Sequence, residues 1–257
     1  MFLRRMKETP DSGVGTEASR SDGEFNTTHW SVVLLAGQSQ SALSAAALES
    51  LCRVYWKPIY VFARGRYYSE ADAKDLTQHF FYNLLERKDF SGLDPGKGKF
   101  RTFLLTAFTH FLVNEHARAN TFKRGGGKII VSLDELSPDE VFLPDTGKET
   151  SATNGFDRQW AKSVVQQALE GLKAELEAAG KARQFAVLKE FLAREAAPGD
   201  YNIAAHELGV ADASVPVLVH RLRQRYRQLV RAQVAQTVTS PDELEEEMRY
   251  LVEVLNQ

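Results

Sequence analysis

Apolar positions fall at intervals of three and four residues, the period of a helix, along most of this chain. In "SALSAAALESLCRVYWKPIYVFARGRYY" the residues Leu48, Leu51, Tyr55, Ile59 and Phe62 share one face, and Pro58 predicts a kink or break. Ser69 predicts the cap of a new helix, with Asp72 three residues on. In that helix Leu76, Phe80 and Leu84 form an apolar face, and Asp72, Asp75, His79 and Glu86 an acidic one. "SGLDPGKGKF" predicts a loop, and "RTFLLTAFTHFLVNEHARAN" an apolar helix ended by "KRGGGK". Further helical patterns begin at Asp157, Ala182 and Tyr201. No alternating stretches pair as strands and no segment repeats, so the predicted fold class is all-α.

Polar stretches divide the pattern into two helical domains joined by a flexible linker. Residues 1–28, rich in Gly, Ser and Thr, predict a disordered N-terminal tail, with Thr28 placed to cap a helix near Trp30. Residues 29–125 predict the first domain, 126–157 the linker, and 158–238 the second domain. Residues 239–257 predict a C-terminal amphipathic acidic helix. Its start is well specified, with Ser240 as N-cap, Pro241 first and Glu243 third. Leu244, Met248, Leu251 and Leu255 make its apolar stripe, and Asp242, Glu243, Glu245, Glu246 and Glu247 crowd its first turns. Such a stripe predicts docking on the chain itself, either masking a binding surface or completing a hydrophobic core.

Within the second domain, "NIAAHELGVADASVPVLVHRLRQRY" has the spacing of a helix-turn-helix. Small Ala205 permits close approach of the two helices, Gly209 makes the turn, and Val215 and Leu218 seal the second helix onto the first. That helix continues into Arg221, Arg223, Arg225, Arg227 and Arg231, five guanidiniums suited to phosphate contacts. A solvated basic helix in a bundle is the plain alternative, and the arginine run after the second helix favours duplex DNA.

Overall composition changes this picture little. The net charge of −2 over 257 residues does not advertise a nucleic-acid partner, so any such partner is read from local patches. A single cysteine, Cys52, excludes an intramolecular disulfide framework and points to a reducing compartment. No apolar run reaches the roughly 20 residues of a membrane span, and "MFLRRMKE" lacks the apolar centre of a secretion signal. The expectation is a soluble, cytoplasmic protein without a membrane partner.

Local charge is more informative in the first domain. Between Gly96 and Lys128 seven Lys or Arg residues stand against one acid, Glu115, with Phe100, Phe103, Phe108, Phe111 and Phe122 threaded between them. Cations beside aromatic faces suit unstacked single-stranded bases. Phe108 and Phe111 read as core, whereas Phe100 and Phe103 sit at a loop–helix junction where exposure is expected.

Enzymatic chemistry finds little support. Asp72, Asp75 and His79 could in principle face one divalent ion, but the six histidines include no H-E-x-x-H pair and no cysteine completes a zinc set. Neither "GKGK" nor "RGGGK" has P-loop spacing, there is no nucleophile elbow, and Cys52 reads as core. The expectation is no catalytic residue, no metal and no cofactor, with a metal-dependent hydrolase kept as a remote alternative.

"DAKDLTQHFF" resembles the "DAEDLTQEVF" block of the extracytoplasmic-function (ECF) sigma factors of bacterial RNA polymerase. "FRTFLLTAF", "NEHARA", "KRGGG" and "VHRLRQRYRQLVR" are similar to segments of that family's long-tailed variants. The likeness spans Trp30–Lys128 as the family's second conserved region and Phe156–Val238 as its fourth. It implies a region 2-like helical bundle that docks on the clamp helices of the polymerase's largest subunit through Asp72, Asp75, Leu76, Gln78 and Phe81. It implies that Lys99, Phe100, Arg101, Phe103, His110, Asn114, Arg118, Lys123 and Arg124 melt and read the −10 element. A region 4-like helix-turn-helix would read the −35 element through Asp212, Ser214, Pro216, Val217, His220, Arg221, Arg223 and Arg227. The implied partners are core RNA polymerase (clamp helices and flap) and promoter DNA, duplex and single-stranded, with an anti-sigma factor left open. The chain departs from the family at Lys74 and His79, where acids are usual, and at Phe103, where Trp is common. His110 replaces the usual Asn, and Pro216 and Leu218 replace common basic residues, so no −35 sequence follows. A stand-alone helix-turn-helix regulator is the alternative function.

Overall fold

The computed structural model describes Trp30 and residues 42–87, 99–123 and 148–257. The predicted tail, most of the helix near Trp30, the "SGLDPGKG" loop and the linker up to residue 147 lie outside these residues. The described residues form eight α-helices and no strand. They are α1 (Ala42–Gly65), α2 (Glu70–Arg87), α3 (Phe100–Lys123), α4 (Lys148–Ala178), α5 (Ala182–Leu188), α6 (Asp200–Leu208), α7 (Val215–Ala235) and α8 (Pro241–Leu255). Short 3₁₀ turns follow α5 and precede α7.

The described residues divide into two compact units, those up to Trp160 with Gln236–Glu243, and Ala161–Ala235 with Leu244–Gln257. The boundary falls inside α4, not in the stretch read as linker. α4 begins at Lys148, so the expected 126–157 connector ends in helix.

The first unit is built around aromatic side chains. Tyr55, Ile59 and Phe62 of α1, Phe80 of α2, Phe100 and Phe108 of α3, and Phe156 and Trp160 of α4 are all buried. Phe108 meets Phe62 and Phe80 edge-on, with ring centroids 6.1 and 5.0 Å away, and Phe156 lies 6.3 Å from Tyr55. Gly65 lets α4 come this close: a Cβ there would stand 2.8 Å from the Cα of Ala152. Pro58 sits inside α1, whose assignment runs through it without a break. The residue is buried, and the flanking Tyr55, Ile59 and Phe62 anchor both sides of it in the core, which offsets the lost backbone hydrogen bond. α2 starts as its cap predicts, the Asp72 amide donating to Ser69 Oγ at 3.1 Å. Its core face is turned from the predicted one: Ala73, Thr77, Phe80 and Phe81 are buried, whereas Leu76 and Leu84 are partly exposed.

The second unit contains the helix-turn-helix. Gly209 closes α6 in the left-handed region (φ 67°), which a side chain would disfavour, and the amide of Val210 returns to the Ala205 carbonyl. Ala205 and Val215 are buried, as the spacing predicts. Leu218 is only partly buried, because the inner face of α7 runs through Val215, Val219, Leu222, Tyr226, Val230 and Val234. The Tyr226 hydroxyl donates to the Val165 carbonyl of α4 at 3.0 Å, and burial pushes this phenol's pKa up.

α8 begins at Pro241, with the Glu243 amide donating to Ser240 Oγ at 3.2 Å. The Glu243 carboxylate turns one residue further back than a capping box requires, accepting from the amide and hydroxyl of Thr239 at 2.8 and 2.9 Å. The buried face is Leu244, Glu247, Leu251, Val252 and Val254, rotated away from Met248 and Leu255. Leu251→Ala is therefore expected to cost about 2–5 kcal/mol. Met248→Ala should cost about 1 kcal/mol or less. Urea denaturation of the two variants checks the assignment.

Candidate functional site

Three surfaces carry the residues singled out in the sequence. On α2, Asp72, Asp75 and Gln78 are exposed and Leu76 is partly buried. Asp72 is engaged in the helix cap, its carboxylate accepting from Ser69 Oγ at 2.7 Å. Phe81 is buried with its ring edge-on to Phe80, so it holds the helix in place and has no face to offer a partner. Tyr82, 62 % exposed, takes that place on the outer face. It was missed, although it follows Asp75 by seven residues and Gln78 by four, the spacing of a shared face. His79 points elsewhere: its ring is 5.3 Å from Phe111, and Nδ1 is 3.9 Å from a Glu115 carboxylate oxygen on α3. Among the described residues no cluster of three or more His, Cys, Asp or Glu side chains is placed to hold a metal ion. Cys52 is buried, and that burial, with Glu49 beside it, pushes its pKa up to about 12, so the thiol stays protonated.

On α3 the structure withdraws most of the proposed strand contacts. Phe100 is fully buried. Phe103 is partly buried and stacks on Trp30, with centroids 5.4 Å apart and planes 25° apart. Arg101 donates to the buried Asp157 carboxylate at 2.8 Å and lies over the Trp160 ring. Lys99 and Asn114 are partly buried, and Arg118 is exposed but donates to Glu115 at 2.7 Å. Lys123 ends the helix; its side chain and Arg124 lie outside the described residues.

His110 is buried, and neither ring nitrogen has a hydrogen-bond partner among the described residues. Burial lowers its pKa below 6.5, so the folded protein keeps the ring neutral while the unfolded chain takes up a proton. The unfolded state then binds more protons, and stability falls as pH drops below 6.5, until the buried ring itself titrates. The slope reaches at most about 1.4 kcal/mol per pH unit. His110→Phe should remove this dependence, so its denaturation midpoint gains on the wild type between about pH 7.5 and 5.5.

On the helix-turn-helix, Asp212, Ser214, Pro216, Val217, His220 and Arg221 are all exposed around the start of α7. The arginine run behind them is largely spent within the fold. Arg223 donates to the carbonyls of Phe191 and Arg194 at 2.8 and 2.9 Å. Arg225 holds Glu175 through two hydrogen bonds of 2.6 and 2.8 Å, which keep that carboxyl's pKa below its ordinary value. Arg231 pairs with Glu245 of α8, and Arg227 is partly buried. Arg223 is thus a clamp on the turn after α5, and Arg221 is exposed at the start of α7.

Family models, curated proteins and solved structures were all compared, and none matches this chain. No helix among the described residues is long and apolar enough to cross a membrane.

Proposed function

We propose that this protein is a sigma factor, which binds core RNA polymerase and directs promoter recognition and melting. One observation carries the reading: a helix-turn-helix with its second helix open to solvent shares a chain with an exposed acidic–polar face on α2. Ser214, Pro216, Val217, His220 and Arg221 stand where a major groove would meet them, with Arg221 as the leading phosphate or base contact. Asp72, Asp75 and Gln78, with Tyr82 one turn beyond, suit a partner surface in which charge steers approach and an aromatic anchors it. The assignment of α2 to the polymerase clamp and of α3 to the −10 strand rests on the resemblance to ECF sigma factors.

Run-off transcription with purified core polymerase tests the reading, and dependence of transcription on this chain is the expected result. Asp75→Arg should weaken polymerase binding by roughly 2 kcal/mol or more, about thirtyfold in Kd, without lowering the melting temperature. Unchanged affinity would remove α2 from the docking surface. The covered state of Phe100 and Phe103 favours a second reading, a helix-turn-helix regulator that binds duplex DNA alone. That protein would retain a duplex operator without polymerase and would not support run-off synthesis.

A further inference from the structure

The first turn of α3 is closed by a segment from the far end of the chain. Lys99, which precedes the helix, offers no side-chain acceptor, and the Phe100 amide has no partner within its own helix. It donates instead to the Thr237 carbonyl at 3.0 Å. One residue earlier, the Gln236 carbonyl accepts from the Trp30 amide at 3.1 Å. Thr237 and Val238 are buried there, as is Trp30. Trp30 in turn covers Phe103 with the near-parallel geometry that a nucleobase would adopt, and its ring lies 4.9 Å from Phe100. The hydrogen bonds from Thr239 to Glu243 hold the next residue to the start of α8.

We infer that Gln236–Thr239 and Trp30 form an autoinhibitory clasp over the start of α3, which a single strand of DNA must displace before its bases stack on Phe103. This rests on the reading of α3 as the strand-binding helix and adds how that helix is held shut. Trp30 and a base compete for the same ring face, and the segment bonded to Trp30 also serves the helix's first amide. Lifting the segment therefore frees both together. The buried side chains of the clasp are Trp30, Thr237 and Val238, none of them charged, so one charge placed among them is enough to expel it. Val238, fully buried and outside α8, is the position for that charge.

The test uses the full chain and a fluorescein-labelled (dT)₂₀ strand. Val238→Asp is expected to bind this probe at least tenfold more tightly than wild type. Adding Phe103→Ala to Val238→Asp should abolish the gain. Equal binding by wild type and a folded Val238→Asp protein overturns the clasp. Hydrogen exchange of the wild-type protein decides independently, including when Val238→Asp fails to fold. With saturating probe, amides at Trp30 and in 236–239 should exchange faster, and binding without that change overturns the proposal. If no form of the protein binds the strand, the strand-binding reading of α3 itself falls, and the clasp with it.

Discussion

Replacing Phe156 by Ala is expected to lower the stability of the protein by about 3–5 kcal/mol, the range for emptying a large aromatic site in a packed core. Phe156 is fully buried, with its ring 6.3 Å from Tyr55 and 6.5 Å from Phe62. The close approach of α1 and α4 at Gly65 and Ala152 leaves the surroundings little freedom to collapse into the space. A residue in a solvated connector would change stability by only about 0.5 kcal/mol. Urea denaturation followed by circular dichroism separates these outcomes. A variant as stable as wild type would return residues 148–157 to a linker role.

Arg101→Ala is expected to cost about 3 kcal/mol or more, because it takes the guanidinium away from a carboxylate that stays buried. The side chains of Arg101 and Asp157 are 15 % and 5 % exposed and meet at 2.8 Å. The guanidinium also lies 5.2 Å from the Trp160 ring centre, so the substitution removes a cation–π contact as well. Arg101→Lys should recover part of the loss, since a lysine keeps the charge but not the planar donor geometry. A strand-contact role predicts the opposite pattern, with stability unchanged and single-strand affinity reduced. Thermal or urea denaturation of Arg101→Ala and Asp157→Asn, which should lose stability together, decides between them. Arg101 holds Asp157, the residue next to Phe156 on α4, so the two effects should not simply add in the double variant.

Helix starts and turns were legible in the sequence because their causes are local. Ser69 and Ser240 cap the helices they announce, and Gly209 takes the positive φ that the helix-turn-helix needs. The helical class itself follows from apolar spacing alone. Which residue of an apolar run faces inward depends on the neighbouring helix. The inner face of α2 turned to Ala73 and Thr77, and that of α8 kept Leu244 and Leu251 but turned to Val252 and Val254. The surfaces were harder still to read, because cations and aromatics look alike in sequence whether they meet a partner or their own fold. Only the tertiary structure brought Glu175 to Arg225, two carbonyls to Arg223, Asp157 to Arg101 and the Thr237 carbonyl to the Phe100 amide. Each partner lies tens of residues away along the chain, and periodicity carries no information about a contact made at that distance.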